Sequence, residues 1–195
     1  MRFCKDKHIT LFLDDALEQP EDVWRALNNP KVNVVIPYPV LAACATRPRM
    51  SLKEAQSKGL ILNHGYNHDS FAKMSAFDQI IDVLKASIWL KRYGIKSYKI
   101  FVAPQSSIKL LTSLVLSLLK YKIFVGQSRK LFCTSRFPIY GRTLNDTVDV
   151  VGMIKEGETC FYTHDIGLMS SKFGCTKDVL DSFIKTIEDY ESLHL

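Results

Sequence analysis

The chain has 195 residues, of which 47% are hydrophobic, 24% charged and 11% aromatic. This composition excludes intrinsic disorder, collagen-like repeats and coiled coils, and the length suits one domain spanning residues 1–195. Lysine and arginine outnumber aspartate and glutamate by 26 to 20, which gives a net charge of +6. An anionic partner is therefore permitted but not required.

The sequence shows no pattern of a membrane span, a secretion signal or a paired-cysteine motif. No apolar run approaches the roughly 18 residues of a membrane span, and the N-terminal segment lacks the pattern of a secretion signal. The five cysteines are odd in number and contain no CxxC pair, which favours reduced thiols. We therefore expect a cytoplasmic protein with no membrane partner, whose oligomeric state the sequence leaves open.

Short apolar runs, many rich in β-branched or aromatic residues, alternate with helical patterns along the chain. The predicted strands are Ile9–Leu13, Val32–Ile36, Leu60–Leu62, Lys99–Val102, Lys122–Val125, Val148–Met153 and Thr159–Tyr162. The predicted helices are Glu21–Asn28, Ser51–Lys58, Phe77–Tyr93, Ser107–Lys120 and Thr176–Tyr190. This alternation predicts an α/β fold, either an open doubly wound sheet or a (β/α) barrel of about seven parallel strands.

One helix has a pattern from which a buried face is predicted. In Phe77–Tyr93, Ile80, Ile81, Leu84, Ile88 and Leu90 lie largely on one side, and Gly94 is expected to end the helix.

Polar residues follow several of the predicted strands directly. In α/β folds, ligands bind at the carboxyl ends of the strands, so residues at these positions are expected to share one site. The residues concerned are Asp14, Asp15, His64, His68, Pro104, Gln105, His164 and Asp165.

The segment His64–His68 contains two histidines four residues apart. On a helical turn this spacing puts both imidazoles on one face, where they can bind one ion. Zinc accepts neutral histidine nitrogens together with a carboxylate oxygen. A pair at this spacing also arises by chance, so the motif by itself is weak.

The remaining polar positions each have two interpretations. Asp14 and Asp15 are expected either to cap the next helix or sit in a turn, or to share a site with a cation that offsets their mutual repulsion. His164 is expected to be either a hydrogen-bonded core histidine or a positioned general acid.

The order of these motifs resembles that of the polysaccharide deacetylases, the NodB-homology domain of carbohydrate esterase family four, in a divergent deacetylase-like branch. The resemblance extends from about Ile9 to Tyr190. The matching segments are Phe12-Leu13-Asp14-Asp15, His64-Gly65-Tyr66-Asn67-His68, Val102-Ala103-Pro104-Gln105 and Phe161-Tyr162-Thr163-His164. The resemblance implies a distorted (β/α) barrel.

The resemblance also implies a role for each matching residue. Asp15, His64 and His68 would bind one divalent metal ion, with Zn²⁺ as the first candidate. Asp14 would be the base that activates a metal-bound water, and His164 the acid that protonates the leaving amine. Pro104 and Gln105 would line the substrate and oxyanion site. The implied activity is metal-dependent removal of an acetyl or other acyl group from an N-acetylated sugar or related amide, a C–N bond that is not a peptide bond.

Two other functions stay open. The arginine of the family's third motif is replaced by Val102, and the family's Asp/Trp fourth motif is not visible, which favours a catalytically inactive binding protein on the same fold. For the missing arginine, Lys99 and Arg142 are the candidate substitutes, and Asp146 and Asp149 are carboxylates available near the fourth motif. The basic, tyrosine-containing segment Lys91–Lys99 permits a nucleic-acid-associated, metal-dependent protein, but it also reads as a helix end followed by a turn.

Overall fold

The computed structural model describes residues 9–41, 48–68, 71–95, 99–126, 139–143, 160–167 and 174–192. The strands of these residues are β1 (Ile9–Leu13), β2 (Val32–Tyr38), β3 (Leu60–Asn63), β4 (Ile100–Val102), β5 (Lys122–Gly126), β6 (Ile139–Thr143) and β7 (Cys160–Thr163). The helices are α1 (Glu21–Leu27), α2 (Leu52–Lys58), α3 (Ala76–Arg92), α4 (Leu110–Leu118) and α5 (Lys177–Ser192).

The strand order is that of a distorted (β/α) barrel, which confirms the predicted fold class and excludes the open sheet. Strand β1 pairs in parallel with both β2 and β7, through Ile9 opposite Val32 and Leu11 opposite Phe161. The β3–β4, β4–β5, β5–β6 and β6–β7 ladders are parallel as well. All carboxyl ends within a ladder therefore lie at the same edge.

Six of the seven predicted strands coincide with strands of the structure. The seventh, Val148–Met153, lies outside the described residues. Strand β6 was missed because Ile139–Thr143 contains glycine and arginine and carries no strong apolar pattern.

Contacts divide the chain into two compact units. Unit 1 comprises residues 1–36, 45–60 and 142–195, and unit 2 comprises residues 37–44 and 61–141. The core of unit 1 contains Leu11, Phe161 and Phe183. The phenyl rings of Phe161 and Phe183 meet edge to face with their centroids 5.2 Å apart, which packs α5 against β7. Unit 2 has its own core, built from β4, β5, α3, α4 and the segment before α3, with Phe71, Val83, Phe101, Ala103, Ile108, Leu116, Ile123 and Val125.

Local signals place the helix ends. Helix α2 begins after Ser51, whose Oγ accepts a hydrogen bond from the N–H of Glu54 at 3.2 Å, as the predicted cap requires. Helix α3 ends before Gly94, which adopts φ +78° and lets the N–H of Ile95 bond back to the carbonyl of Leu90.

The prediction for the start of α4 was wrong by three residues. Residues Pro104–Ser106 form a 3₁₀ turn and Ser107 is extended, so the helix begins at Leu110 instead of Ser107. The N–H of Lys109 donates to Oε1 of Gln79 in α3 at 3.1 Å. This tertiary contact, which the local sequence does not record, sets where the helix begins.

The predicted buried face of α3 was also wrong in part. Of the five residues assigned to it, Leu90 is buried, but Ile81 and Ile88 are exposed. The buried positions of α3 are instead Gln79, Asp82, Val83, Ala86 and Leu90. Two polar side chains therefore lie in the core of unit 2, where they hold neighbouring backbone groups.

Both cysteines that the structure describes, Cys160 and Cys175, are buried free thiols. Cys4, Cys44 and Cys133 lie outside the described residues. No helix of the described ranges combines the length and apolarity needed to cross a bilayer.

Candidate functional site

In unit 2, the histidine loop, residues 64–68, follows directly after β3. The prediction of a helical turn was wrong, because Gly65 has φ +87° and His68 has φ +54° and the segment bends instead. The two imidazoles nevertheless meet, with their Nε2 atoms 3.2 Å apart and their ring centroids 4.9 Å apart. The i, i+4 spacing thus brings the rings together through a bent loop.

A hydrogen bond fixes the tautomer of His64. Its Nδ1 lies 2.9 Å from the backbone carbonyl oxygen of Val102, at the end of β4, and the imidazole is buried. Because a carbonyl oxygen only accepts, Nδ1 must carry the proton, and the Nε2 of the neutral ring then presents a lone pair. This is the form of histidine that binds metals, with the other ring nitrogen held by a carbonyl group.

Asp82 in α3 holds the backbone of the histidine loop. Its carboxylate is buried and accepts hydrogen bonds from the N–H groups of Tyr66 and Asn67, the latter at 3.0 Å. Asn63, the last residue of β3, adds a bond from the N–H of Gly65 to its Oδ1 at 2.9 Å. Sequence reasoning missed Asp82 because it lies fourteen positions beyond the motif and in a helix. A carboxylate placed among the apolar residues of positions 80–84 is the sequence signal that could have identified it.

Pro104 and Gln105 form a tight turn at the end of β4. Pro104 is buried, and its Cγ would lie 3.5 Å from a Cβ placed on Gly65, so the turn lies beside the histidine loop. Gln105 is exposed and adopts φ +52°. Unit 2 therefore brings together four of the predicted site residues: His64, His68, Pro104 and Gln105.

In unit 1, Asp14 and Asp15 form a 3₁₀ turn directly after β1. Neither caps a helix, because the residue before α1 is Pro20, which makes no side-chain cap, so the capping interpretation was wrong. Burial, reinforced by the neighbouring charge of Asp15, raises the pKa of the Asp14 carboxyl well above its usual value. Among the described residues, Oδ1 of Asp14 is buried with no hydrogen-bond partner.

His164 follows β7, and its Nε2 lies 3.5 Å from Oδ2 of Asp15. Gln19 holds the backbone here, because its Nε2 donates to the carbonyl of His164 at 3.0 Å and its Oε1 accepts from the N–H of Ile166 at 2.9 Å. Unit 1 thus brings Asp14, Asp15 and His164 together. Gln19 was missed because nothing in its neighbouring sequence marks a glutamine as buried.

Left-handed backbone conformations recur at the predicted positions. Asp15 (φ +68°), His68 and Gln105 are non-glycine residues with positive φ in the described part of the chain, and Ala16 and Ser106 follow two of them with the same conformation. Such conformations persist only when surrounding contacts impose them, and they cluster at functional sites. They occur here at the ends of β1 and β4 and in the histidine loop, and at one position away from them, Lys120 after α4.

Of the two predicted substitutes for the missing third-motif arginine, Arg142 lies in β6 with its side chain outside the described part of the structure and stays a prediction, whereas Lys99 is bonded elsewhere. The Nζ of Lys99 donates to the carbonyl of Leu119 at 3.0 Å, so it is engaged at the start of β4. Trp24 and Trp89 lie in α1 and α3. Asp146 and Asp149 lie outside the described residues, as does part of the basic segment Lys91–Lys99.

No family model and no curated protein matches this sequence. Solved structures do match over nearly the whole chain. A family 4 carbohydrate esterase from Streptomyces lividans, in complex with acetate, is similar with a TM-score of 0.55 and 9% identity, covering 96% of this chain and 89% of that one. The chitin deacetylase of the fungal pathogen Colletotrichum lindemuthianum is similar with a TM-score of 0.61 and 13% identity, covering 95% and 84%.

A CE4 family pseudoenzyme from Bacillus anthracis is also similar, with a TM-score of 0.58 and 13% identity, covering 96% of this chain and 63% of that one. At these identities, the likeness shows a common fold with the family four carbohydrate esterases. Because the fold is shared by a deacetylase and a pseudoenzyme, the activity has to be argued from the residues of this chain.

Proposed function

We propose that the protein is a metal-dependent hydrolase that removes an acetyl group from an N-acetylated sugar or a related amide. The observation that carries this proposal is the state of the histidine loop. His64 has its Nδ1 bonded to the carbonyl oxygen of Val102, and its Nε2 lies 3.2 Å from that of His68. Two imidazole nitrogens this close together, one with its tautomer fixed, are typical of a metal half-site.

The proposed ligand set is Asp15, His64 and His68, which supplies two imidazole nitrogens and one carboxylate oxygen. This donor set suits Zn²⁺, which binds such ligands in hydrolytic sites and leaves a further position open. A divalent ion there would supply Lewis-acid polarisation of an acyl carbonyl and would make water a nucleophile near neutral pH.

The roles of the remaining residues follow from their surroundings. Asp14 would accept a proton from the attacking water, and its raised pKa brings the carboxylate closer to the basicity that a general base needs near neutral pH. His164 would donate a proton to the leaving nitrogen, and its Nε2 lies 3.5 Å from Oδ2 of Asp15. Pro104 and Gln105 would border the acyl group. The positive φ of Gln105 is part of the tight turn that these residues form after β4.

An acetylated carbohydrate is the substrate class we propose. The similar structures include a chitin deacetylase and a peptidoglycan N-acetylglucosamine deacetylase, which are named for such substrates. Exposed Gln105 at the end of β4 offers hydrogen-bonding groups of the kind that sugar hydroxyls and acetamides require.

Metal analysis combined with an acetate-release assay tests this function. The wild type is expected to bind about one divalent ion per chain and to release acetate from N-acetylated oligosaccharides. His64→Ala and His68→Ala should lose the ion, whereas Asp14→Asn should keep it and lose hydrolysis by roughly a thousandfold or more. His194→Ala, which removes a histidine outside the described residues, is the matched control and should keep both. A protein that gains no metal on titration with Zn²⁺ would exclude this function.

The second candidate function is a binding protein that has kept the fold and lost catalysis. It is favoured by Val102, which is buried and supplies only its backbone carbonyl to His64 at the position where the family motif has arginine. This candidate predicts a bound metal and measurable affinity for acetylated sugars, with no acetate released from sugars, peptides or esters.

A further inference from the structure

The outer faces of α3 and α4, both in unit 2, are apolar. Phe77, Ile81 and Ile88 of α3 are between 47% and 70% exposed, and Leu110, Leu111, Leu114 and Leu118 of α4 are between 43% and 83% exposed. We call these seven residues the apolar face. The α3 residues recur at intervals of four and seven, and the α4 residues at three and four, so each set forms a stripe along one side of its helix.

The two helices are adjacent, because the Oγ1 of Thr112 donates to Oε1 of Gln79 at 2.7 Å and to the carbonyl of Ala76. The polarity of α4 is the reverse of that of an ordinary surface helix. Its buried residues are Thr112, Ser113 and Leu116, while four of its leucines are exposed. A helix with this distribution is adapted to an apolar environment on its outer side.

The exposed area is large for a monomer. A fully exposed large apolar residue presents roughly 150–200 Å², so the apolar face exposes on the order of 700 Å². The largest apolar patch of a typical monomer is about 300–600 Å², and larger ones mark protein or membrane contacts.

The charge of unit 2 around the apolar face distinguishes a protein partner from a membrane. Residues 71–126 contain nine lysine or arginine and two aspartate residues, a net +7, against +6 for the whole chain. One of the two aspartates, Asp82, is buried in its contacts with the histidine loop. The exposed cations of α3 and of the two ends of α4 are Lys85, Lys91, Arg92, Lys109 and Lys120, and the Nζ of Lys85 also lies 3.9 Å from the ring centroid of Tyr66.

On α3, the cations border the apolar stripe. At 100° per residue, Lys91 lies on one side of the line through Phe77, Ile81 and Ile88, and Lys85 and Arg92 lie on the other. On α4, Lys109 precedes and Lys120 follows the stripe of leucines. A second copy of the chain would bring these cations against the same cations, which disfavours self-association. An anionic lipid surface matches both the apolar stripes and their basic border.

We propose that the apolar face of α3 and α4 binds the surface of a membrane that contains anionic lipid. The leucines and Phe77 enter the boundary between headgroups and acyl chains, and the bordering lysines and Arg92 contact lipid phosphates. The two helices would lie in the plane of the membrane surface and would not cross the bilayer. Surface binding of this kind does not require the long apolar run of a membrane-spanning helix, which the sequence lacks. The inference is independent of the proposed hydrolase activity.

Co-sedimentation with lipid vesicles tests the proposal. The full-length protein is expected to sediment with phosphatidylcholine vesicles that contain about 30% phosphatidylglycerol, and at least about tenfold less with phosphatidylcholine alone. Binding should weaken as the salt concentration rises. Leu114→Gln with Leu118→Gln should lower the affinity by about tenfold or more, and Lys91→Gln with Arg92→Gln by roughly fivefold per charge.

Matched control variants distinguish the contribution of the apolar face to vesicle binding from nonspecific effects of substitution. Leu41→Gln removes a leucine of similar exposure elsewhere, and Lys53→Gln removes an exposed charge from α2, so both should bind like the wild type. Circular dichroism melting verifies that each variant is folded. Absence of vesicle binding, or equal loss in the control variants, overturns the proposal. A dimer in sedimentation equilibrium that Leu118→Gln dissociates also overturns it and assigns the face to a second copy.

Discussion

Gly65 occupies a position in the histidine loop that other residues do not fit. Its φ of +87° lies in the region that favours glycine, and a Cβ there would lie 3.2 Å from Oδ2 of Asp82. The same carboxylate accepts the N–H groups of Tyr66 and Asn67, so it has little freedom to move away. The bend of this loop therefore explains the glycine found here.

Gly65→Ala is therefore expected to destabilise the protein by about 2–3 kcal/mol, through backbone strain together with the close contact. Gly94→Ala is the matched control, because Gly94 also has positive φ (+78°) but has no heavy atom within 4 Å of the added Cβ. It should cost only the strain, about 1 kcal/mol. Urea unfolding of both variants measures the difference. Equal losses of stability would show that the contact with Asp82 contributes nothing.

At the scale of secondary-structure elements, buried polar side chains join α3 to α4. Oε1 of Gln79 accepts from the hydroxyl of Thr112 at 2.7 Å and from the N–H of Lys109 at 3.1 Å, and its Nε2 donates to the carbonyl of Phe71. Gln79 is thus a buried amide with three hydrogen bonds, one of which positions the start of α4. The helical pattern of the sequence predicted both helices, but it assigned α3 the wrong face because this junction is polar.

Thr112→Val keeps the shape of the side chain and removes the hydroxyl that Gln79 bonds. The loss of this buried hydrogen bond is expected to cost about 1–2 kcal/mol. Thr186→Val is the control, because the hydroxyl of Thr186 donates to the carbonyl of Ser182 within α5, where it should cost less than about 0.5 kcal/mol. Thermal and urea denaturation of the two variants provide the comparison. A Thr112→Val protein as stable as the wild type would contradict the role assigned to this junction.

At the scale of the whole molecule, the two compact units are not consecutive segments of the chain. The chain passes from one unit to the other four times, and three of the passages occur within the strands β2, β3 and β6. Independent domains are usually joined by exposed linkers instead. The prediction of one domain over residues 1–195 therefore remains the simplest description.

This description predicts a single cooperative unfolding transition. Each unit contains one of the two tryptophans, Trp24 in unit 1 and Trp89 in unit 2. In Trp89→Phe the remaining fluorescence reports unit 1, and in Trp24→Phe it reports unit 2. Within each variant, the fluorescence transition in urea should coincide with that of far-ultraviolet circular dichroism. Separate midpoints for the two signals would indicate that the units unfold independently.

The sequence by itself determined the positions of six strands and the order of the motifs at their carboxyl ends. It could do so because buried parallel strands are short, continuous apolar runs, and because residues that follow them share one edge of the sheet. The same pattern identified His64, His68, Asp14, Asp15 and His164 as candidate residues. These features depend only on neighbours in the chain, and the sequence records them directly.

Tertiary structure alone decided how those residues are held. The bend at Gly65, the carboxylate of Asp82 under the histidine loop and the bond from Gln19 to the backbone of His164 all join residues distant in sequence. The same is true of the exposed faces of α3 and α4, since a periodic pattern gives the sides of a helix but not which side meets the core. Burial depends on the partner that each side meets, and the partner is set by the fold.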